Sequence, residues 1–146
     1  MFKTILVALD TSDLAEQVMT AVDQLTLDPD AYIILSHVIS PTESGFGVSA
    51  DRPSPHPQIG TYRSIEQHLK QFQANLMCRS DIEIVTGDPV EEILRLANIY
   101  GADLIVLGSR GLTGVRRVVQ GSVSSAVVAD AACSVLVVKA ADVVDV

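Results

Sequence analysis

Five short aliphatic runs recur along the chain, at residues 3–10 (KTILVALD), 31–38 (AYIILSHV), 82–86 (IEIVT), 102–108 (ADLIVLG) and 134–138 (SVLVV). Four of them are apolar at odd and even positions alike, as in strands covered on both faces. The run at 82–86 alternates more and suits the edge of a sheet. The stretches between carry a helical period. From Ser12 to Leu25, Leu14, Val18, Ala21, Val22 and Leu25 share one stripe, with Ser12 as N-cap. Residues 61–78 place Ile65, Leu69, Phe72 and Leu76 at spacings of 4, 3 and 4. Residues 88–100 open with Asp88 as cap, Pro89 at the first helical position and Glu91 at the capping-box position, and Leu94, Ala97 and Ile99 supply apolar content. Residues 122–132 open at Ser122 and carry Val123, Ala126, Val127 and Ala129.

Strand and helix thus alternate from end to end. That order predicts a doubly wound α/β domain, a mainly parallel sheet with helices on both faces and right-handed crossovers. The 146 residues suit one such domain, without repeats. One stretch breaks the rhythm: residues 40–60 hold four Pro and three Gly with little periodicity. A loop this long is either functional or disordered. It leaves the carboxyl end of the second strand, so a lid over a ligand and a flexible insertion are both open readings.

Composition narrows the function classes. Apolar residues make up 48% of the chain, Trp is absent, and Phe and Tyr number three each, so the core is aliphatic. A formal charge of −8 argues against a nucleic-acid partner, which needs a basic face. It leaves a nucleotide open, because backbone N–H groups and one or two Arg can hold phosphates whatever the global charge. Cys78 and Cys133 form no CxxC pair and are expected as buried, reduced thiols. No leader pattern or apolar run of about 20 residues is read, so a cytoplasmic protein without membrane contact is expected.

The densest chemistry lies in residues 104–125, LIVLGSRGLTGVRRVVQGSVSS. A buried strand runs into Gly108-Ser109-Arg110-Gly111, nine residues follow, and Gly121-Ser122 opens a helix. Glycines admit close approach of backbone, and the first N–H groups of a helix point toward an anion. Ser109, Ser122 and Ser124 add hydroxyls. The spacing is neither a P-loop nor the dinucleotide-binding fingerprint, which follows a first strand. By itself it fits a phosphate cradle and a tight turn with a helix cap equally.

The pattern Gly108-x2-Gly111-x9-Gly121-Ser122, followed by a small-residue helix and SVLVVK, resembles the ATP-binding signature of the universal stress protein family. ILVALDTSD, GDPVEEI and ADLIVLGSRG also resemble that family, and the likeness runs from about residue 2 to 139, omitting 40–60. The resemblance implies a sheet of order 3-2-1-4-5, the adenine nucleotide alpha hydrolase-like arrangement, whose first and fourth strands end side by side where the winding reverses. It implies that Asp10 contacts the adenosine part of ATP or a related adenine nucleotide. Ala8, Val38 and Leu107 would line the adenine pocket. Gly108, Ser109, Gly111, Gly121, Ser122, Val123 and Ser124 would surround ribose and phosphates, with Mg²⁺ carried on the phosphates. It also implies a homodimer through the last strand, at Val135, Leu136, Val137 and Val138. The family often has Pro where Ser134 stands.

Other readings of these residues are weaker. Asp10 can simply cap the next helix. A phospho-accepting signalling domain would need paired acids beside Asp10 and an acceptor Asp where the third strand ends in Thr86-Gly87. An ATP pyrophosphatase would need a glycine-rich loop where Asp10-Thr11-Ser12-Asp13 stands. His37, His56 and His68 have no metal-ligand spacing. Arg110, Arg116 and Arg117 either neutralise phosphate or solvate a loop. No nucleophile–base pair is evident, so the expected activity is at most slow ATP hydrolysis.

Overall fold

The apolar runs assemble into one sheet in the computed structural model, which describes residues 1–10, 12–41, 57–109 and 122–139. Along the chain the elements are β1 (Phe2–Ala8), α1 (Leu14–Asp23), β2 (Leu27–Ile39), α2 (Pro57–Ala74), β3 (Arg79–Thr86), α3 (Pro89–Tyr100), β4 (Leu104–Gly108), α4 (Ser122–Asp130) and β5 (Ser134–Val138). The sheet order is β3-β2-β1-β4-β5, as expected, and every pairing is parallel. Strand β3, the run that alternates most, is an edge.

Side-chain alternation splits the core into two layers. Ile5, Val7 and Leu9 face one side with Ile33, Leu35 and Val106, covered by Leu14 and Val18 of α1 and Ile65 and Leu69 of α2. Leu6, Ile34, Val38, Ile105 and Leu107 face the other, covered by Ile93 and Leu96 of α3 and Val127 of α4. Ile5, Leu6, Val7, Ile34, Leu35, Ile105 and Val106 are fully buried, which explains why these strands lack a polar parity. Among the described residues no helix is long and apolar enough to cross a membrane.

Several boundaries differ from the expected ones. Strand β2 starts at Leu27, not 31. Pro29 cannot donate to a ladder, and the register shifts between Phe2 and Thr4 as Asp28 Oδ1 accepts from Asp30 N (2.8 Å). Strand β1 ends at Ala8, so Leu9 and Asp10 lie past its ladder. Strand β4 starts at Leu104; just before it, Asp103 N donates to Thr4 O (2.9 Å) while its two carboxylate oxygens accept from Lys3 N and Thr4 N at 3.0 Å each. Helix α2 begins at Pro57, inside the stretch read as a loop, and stops at Ala74; residues 42–56 of that stretch lie outside the described residues. Strand β3 starts at Arg79, three residues early. Helix α4 ends at Asp130, two residues before the expected end.

Helix α3 follows its sequence signals closely. Asp88 Oδ2 accepts from Glu91 N (3.0 Å), Pro89 occupies the first turn, and Gly101 closes the helix at φ 64°. Ala102 N donates to Ala97 O (2.9 Å), the closing bond of a left-handed C-terminal cap. Ile99, however, is 60% exposed and lies off the packed stripe.

Candidate functional site

Strand β1 sends its chain to β2 on one side, whereas β4 sends its chain to β5 on the other. The last ladder pairs of β1 are Ala8 with Ser36 and Ala8 with Leu107. Beyond them α1 and α4 diverge from the sheet in opposite layers. A gap at this reversal is a topological consequence, and ligands of doubly wound sheets bind there. In this chain the gap is a small cleft of about 20 Å³, open to solvent, bordered by Ala8, Leu9 and Asp10 of the β1 end. Leu107 and Gly108 of the β4 end, Leu14, Ala15 and Val18 of α1, Ile93 of α3 and Val123 of α4 complete it. Five residues singled out in the sequence therefore meet: Ala8, Asp10, Leu107, Gly108 and Val123.

Asp10 is the polar group of the cleft. It is only 8% exposed, and its Oδ1 accepts from Ser12 N (2.9 Å) and from Ser12 Oγ (2.6 Å). Ser12 Oγ in turn accepts from Leu14 N (3.2 Å), and Ser12 O accepts from Ala15 N (3.1 Å). The carboxylate thus steadies the turn into α1 through Ser12, but the N-cap position is Asp13, one residue later than expected and without a side-chain cap bond. Asp10 therefore acts on α1 through Ser12 and is not itself the helix cap, and this coexists with a place on the cleft wall.

Gly108 has a packing reason to be glycine. A Cβ here would lie 2.4 Å from Leu14 Cδ2 and 2.9 Å from Leu14 Cγ, so α1 rests directly on the β4 backbone. That differs from the expected reason, close approach of a ligand. Ser109 also departs from expectation in one respect: its amide donates to Val138 O (2.9 Å), extending the β4–β5 ladder, and is not available to a phosphate. Val38 is 2% exposed within the α3–α4 layer and does not border the cleft. Ser122 is the first residue of α4, and Ser124, within the first turn, is 5% exposed. Gly111, Gly121, Arg110, Arg116 and Arg117 lie outside the described residues, as do His56 and the tail from residue 140.

Ser36, which the sequence reading did not single out, and His37, which it named only as a non-ligand, lie buried in β2 beside the β1 end. Ser36 Oγ donates to Val7 O (3.0 Å), and His37 Nδ1 lies 2.8 Å from Leu9 O, both fully within the core. The signal was present as a polar Ser-His pair inside the run AYIILSHV. His68 instead packs edge-on against Phe72, ring centroids 5.0 Å apart. Among the described residues no three His, Cys, Asp or Glu side chains gather as a metal site.

Titratable groups away from the cleft are perturbed by identifiable neighbours. The Tyr32 hydroxyl donates to Asp81 Oδ2 and that of Tyr100 to Glu83 Oε2. The bond to Asp81, then burial, pushes the Tyr32 phenol up to about 12. The bond to Glu83, then burial, raises Tyr100 as well. Arg79 lies 4.6 Å over the Tyr32 ring, and the two tyrosines meet edge to face at 6.1 Å. Both cysteines are half-buried, not fully buried as expected, and burial raises each thiol.

The profile described as the universal stress protein family matches residues 1–139. A universal stress protein of Thermus aquaticus is 34% identical over 144 residues, spanning 95% of this chain and all of the relative. The universal stress protein YxiE of Bacillus subtilis is 30% identical over 151 residues, with 95% and 100% covered. Among solved structures, the hypothetical protein MJ0577 superposes with TM-score 0.84 at 27% identity, over 98% of this chain and 99% of that one. A universal stress protein in complex with cAMP superposes at TM-score 0.67 and 22% identity, with 94% and 97% covered. An Arabidopsis thaliana family member with AMP bound does so at 0.61 and 24%, with 94% and 91% covered.

Proposed function

Because the chain belongs to the universal stress protein family, we infer that its β1–β4 cleft binds ATP or another adenine nucleotide, and that the bound state regulates a stress response. The observation that carries this reading is the meeting of Ala8, Asp10, Leu107, Gly108 and Val123, from two strand ends and a helix start, at the winding reversal of the sheet. The fold neighbours that hold cAMP and AMP support an adenine nucleotide as the class of ligand. In this reading Ala8 and Leu107 offer apolar surface to the base and Asp10 takes hydroxyl or amino hydrogens of the adenosine. The first free amides of α4, with Gly111, Gly121, Ser122 and Ser124, meet the phosphates. Val38 acts from behind, as packing under the β2 end. A Mg²⁺ ion would find its ligands on phosphate oxygens, in keeping with its habit of riding on substrate phosphate. Hydrolysis, without a nucleophile–base pair, is slow at most.

Micromolar affinity requires about 8 kcal/mol, within reach of several bonds to charged groups at about 1.5–3 kcal/mol each. Calorimetric titration with ATP, AMP and cAMP tests the reading. At least one should bind in the micromolar range, and Gly121→Val should weaken it about 10-fold or more by putting a branched side chain in the phosphate path. A folded protein that binds none of the three removes the proposal.

One observation favours a second reading, a dimeric scaffold without nucleotide: Asp10 Oδ1 is already engaged in holding the α1 turn. Mass spectrometry of the small molecules released from freshly purified protein separates the two, an adenine nucleotide supporting the first. Both readings include a homodimer paired through β5, in a cytoplasmic protein.

A further inference from the structure

Leu9 is the first residue past β1, still held to the sheet by its main chain, and it precedes the Asp10 of the cleft. Its N–H donates to Ser36 O at 2.8 Å. Its carbonyl oxygen lies 2.8 Å from Nδ1 of His37, the next residue of β2. A carbonyl can only accept, so Nδ1 carries the hydrogen and donates. The two peptide units that flank Leu9 are therefore pinned from one neighbouring strand, the first by main chain and the second by the histidine. The second unit is planar and contains the Asp10 nitrogen. Fixing its carbonyl fixes the direction in which the chain delivers Asp10 to the cleft. The ladder of β1 ends at Ala8, so regular pairing does not do this. His37 is 3% exposed in a strand where every apolar neighbour packs well, and a buried imidazole is costly unless its bond serves the fold.

We propose that His37 is the positioning residue of the β1–β4 cleft, holding the Leu9–Asp10 peptide so that the Asp10 carboxylate meets the adenosine part of the ligand. The proposal rests on the adenine-nucleotide reading for its effect on binding. Its effect on Asp10 itself is independent of any ligand.

Two amide replacements isolate the bond, because asparagine places an N–H near Nδ1 whereas glutamine places it near Nε2. His37→Asn should bind ATP or AMP within about 3-fold of the parent, and His37→Gln should lose about 10-fold. In nitrogen–proton spectra the amide of Ser12, which reports the Asp10 carboxylate, should shift in His37→Gln and hold its place in His37→Asn. In the parent protein, long-range spectra of the His37 ring should show the hydrogen on Nδ1. A hydrogen found on Nε2 overturns the proposal without recourse to any variant. Equal affinities of the two variants with an unmoved Ser12 amide also overturn it. If the parent binds no adenine nucleotide, the reading of the cleft fails. A Ser12 shift confined to the Gln variant then still upholds the positioning of Asp10, and an unmoved Ser12 sinks it.

Discussion

Gly108 and Leu14 occupy one packing position between them, since the space a Cβ would need is filled by the leucine. Gly108→Ala should therefore push Leu14 off its site and cost about 1–3 kcal/mol, as overpacking does. Thermal denaturation measures the cost, and an unchanged midpoint would show that α1 slides freely over β4. The two tyrosines bonded to carboxylates give a pH dependence that can be read directly. The bond to Asp81 pushes the Tyr32 phenol up to about 12 in the fold, against 10.0 for the free group. A raised folded value means that the stabilisation is complete below pH 10 and is lost as pH climbs from there toward 12. Absorbance at 295 nm should show a late-ionising component for Tyr32 and Tyr100, and Tyr32→Phe should remove part of it. A titration unchanged by Tyr32→Phe would mean that the Asp81 bond does not persist in solution.

At the scale of the element, α1 and α3 are started by different side-chain devices. Helix α3 has a direct one, with Asp88 accepting from Glu91 N, and Asp88→Ala should cost about 1 kcal/mol by denaturant titration. A loss well below a few tenths would mean that water replaces the carboxylate without penalty. Helix α1 uses a relay from Asp10 through Ser12 to Leu14 N. The relay ties the direction of α1 to the same carboxylate that the proposed ligand would meet. The start of β2 moved because Pro29 stands within the strand without ending it.

For the whole molecule, the exposed consequence of the topology is an edge strand at each side of the sheet. Val138 O turns inward to Ser109, and alternation of the strand turns the N–H of Val137 outward. A Pro at an outward position of an edge strand leaves the inner ladder intact. Val137→Pro should therefore sediment as a folded monomer if copies of the chain pair through β5, where the parent sediments as a dimer. A parent that is itself monomeric would dismiss that pairing. Lys at the same place would be a poorer probe, since Val137 also packs against the α3–α4 layer.

The amino-acid sequence by itself determined the alternation of strands and helices, the parallel sheet, the α3 cap and the family. Those properties are carried by periodicity, end signals and a glycine spacing, all local along the chain. Asp10 and Gly108 were legible as candidates because each stands where an apolar run stops. Tertiary structure alone decided what these residues touch: that Gly108 makes room for Leu14, that Ser109 spends its amide on β5, that Val38 stays under the sheet, and that His37 grips the Leu9 carbonyl. Such pairs are 28 to 94 residues apart in one-dimensional order. Only the crossovers bring them to bonding distance, and no local period encodes which partner a buried polar group or a missing side chain will meet.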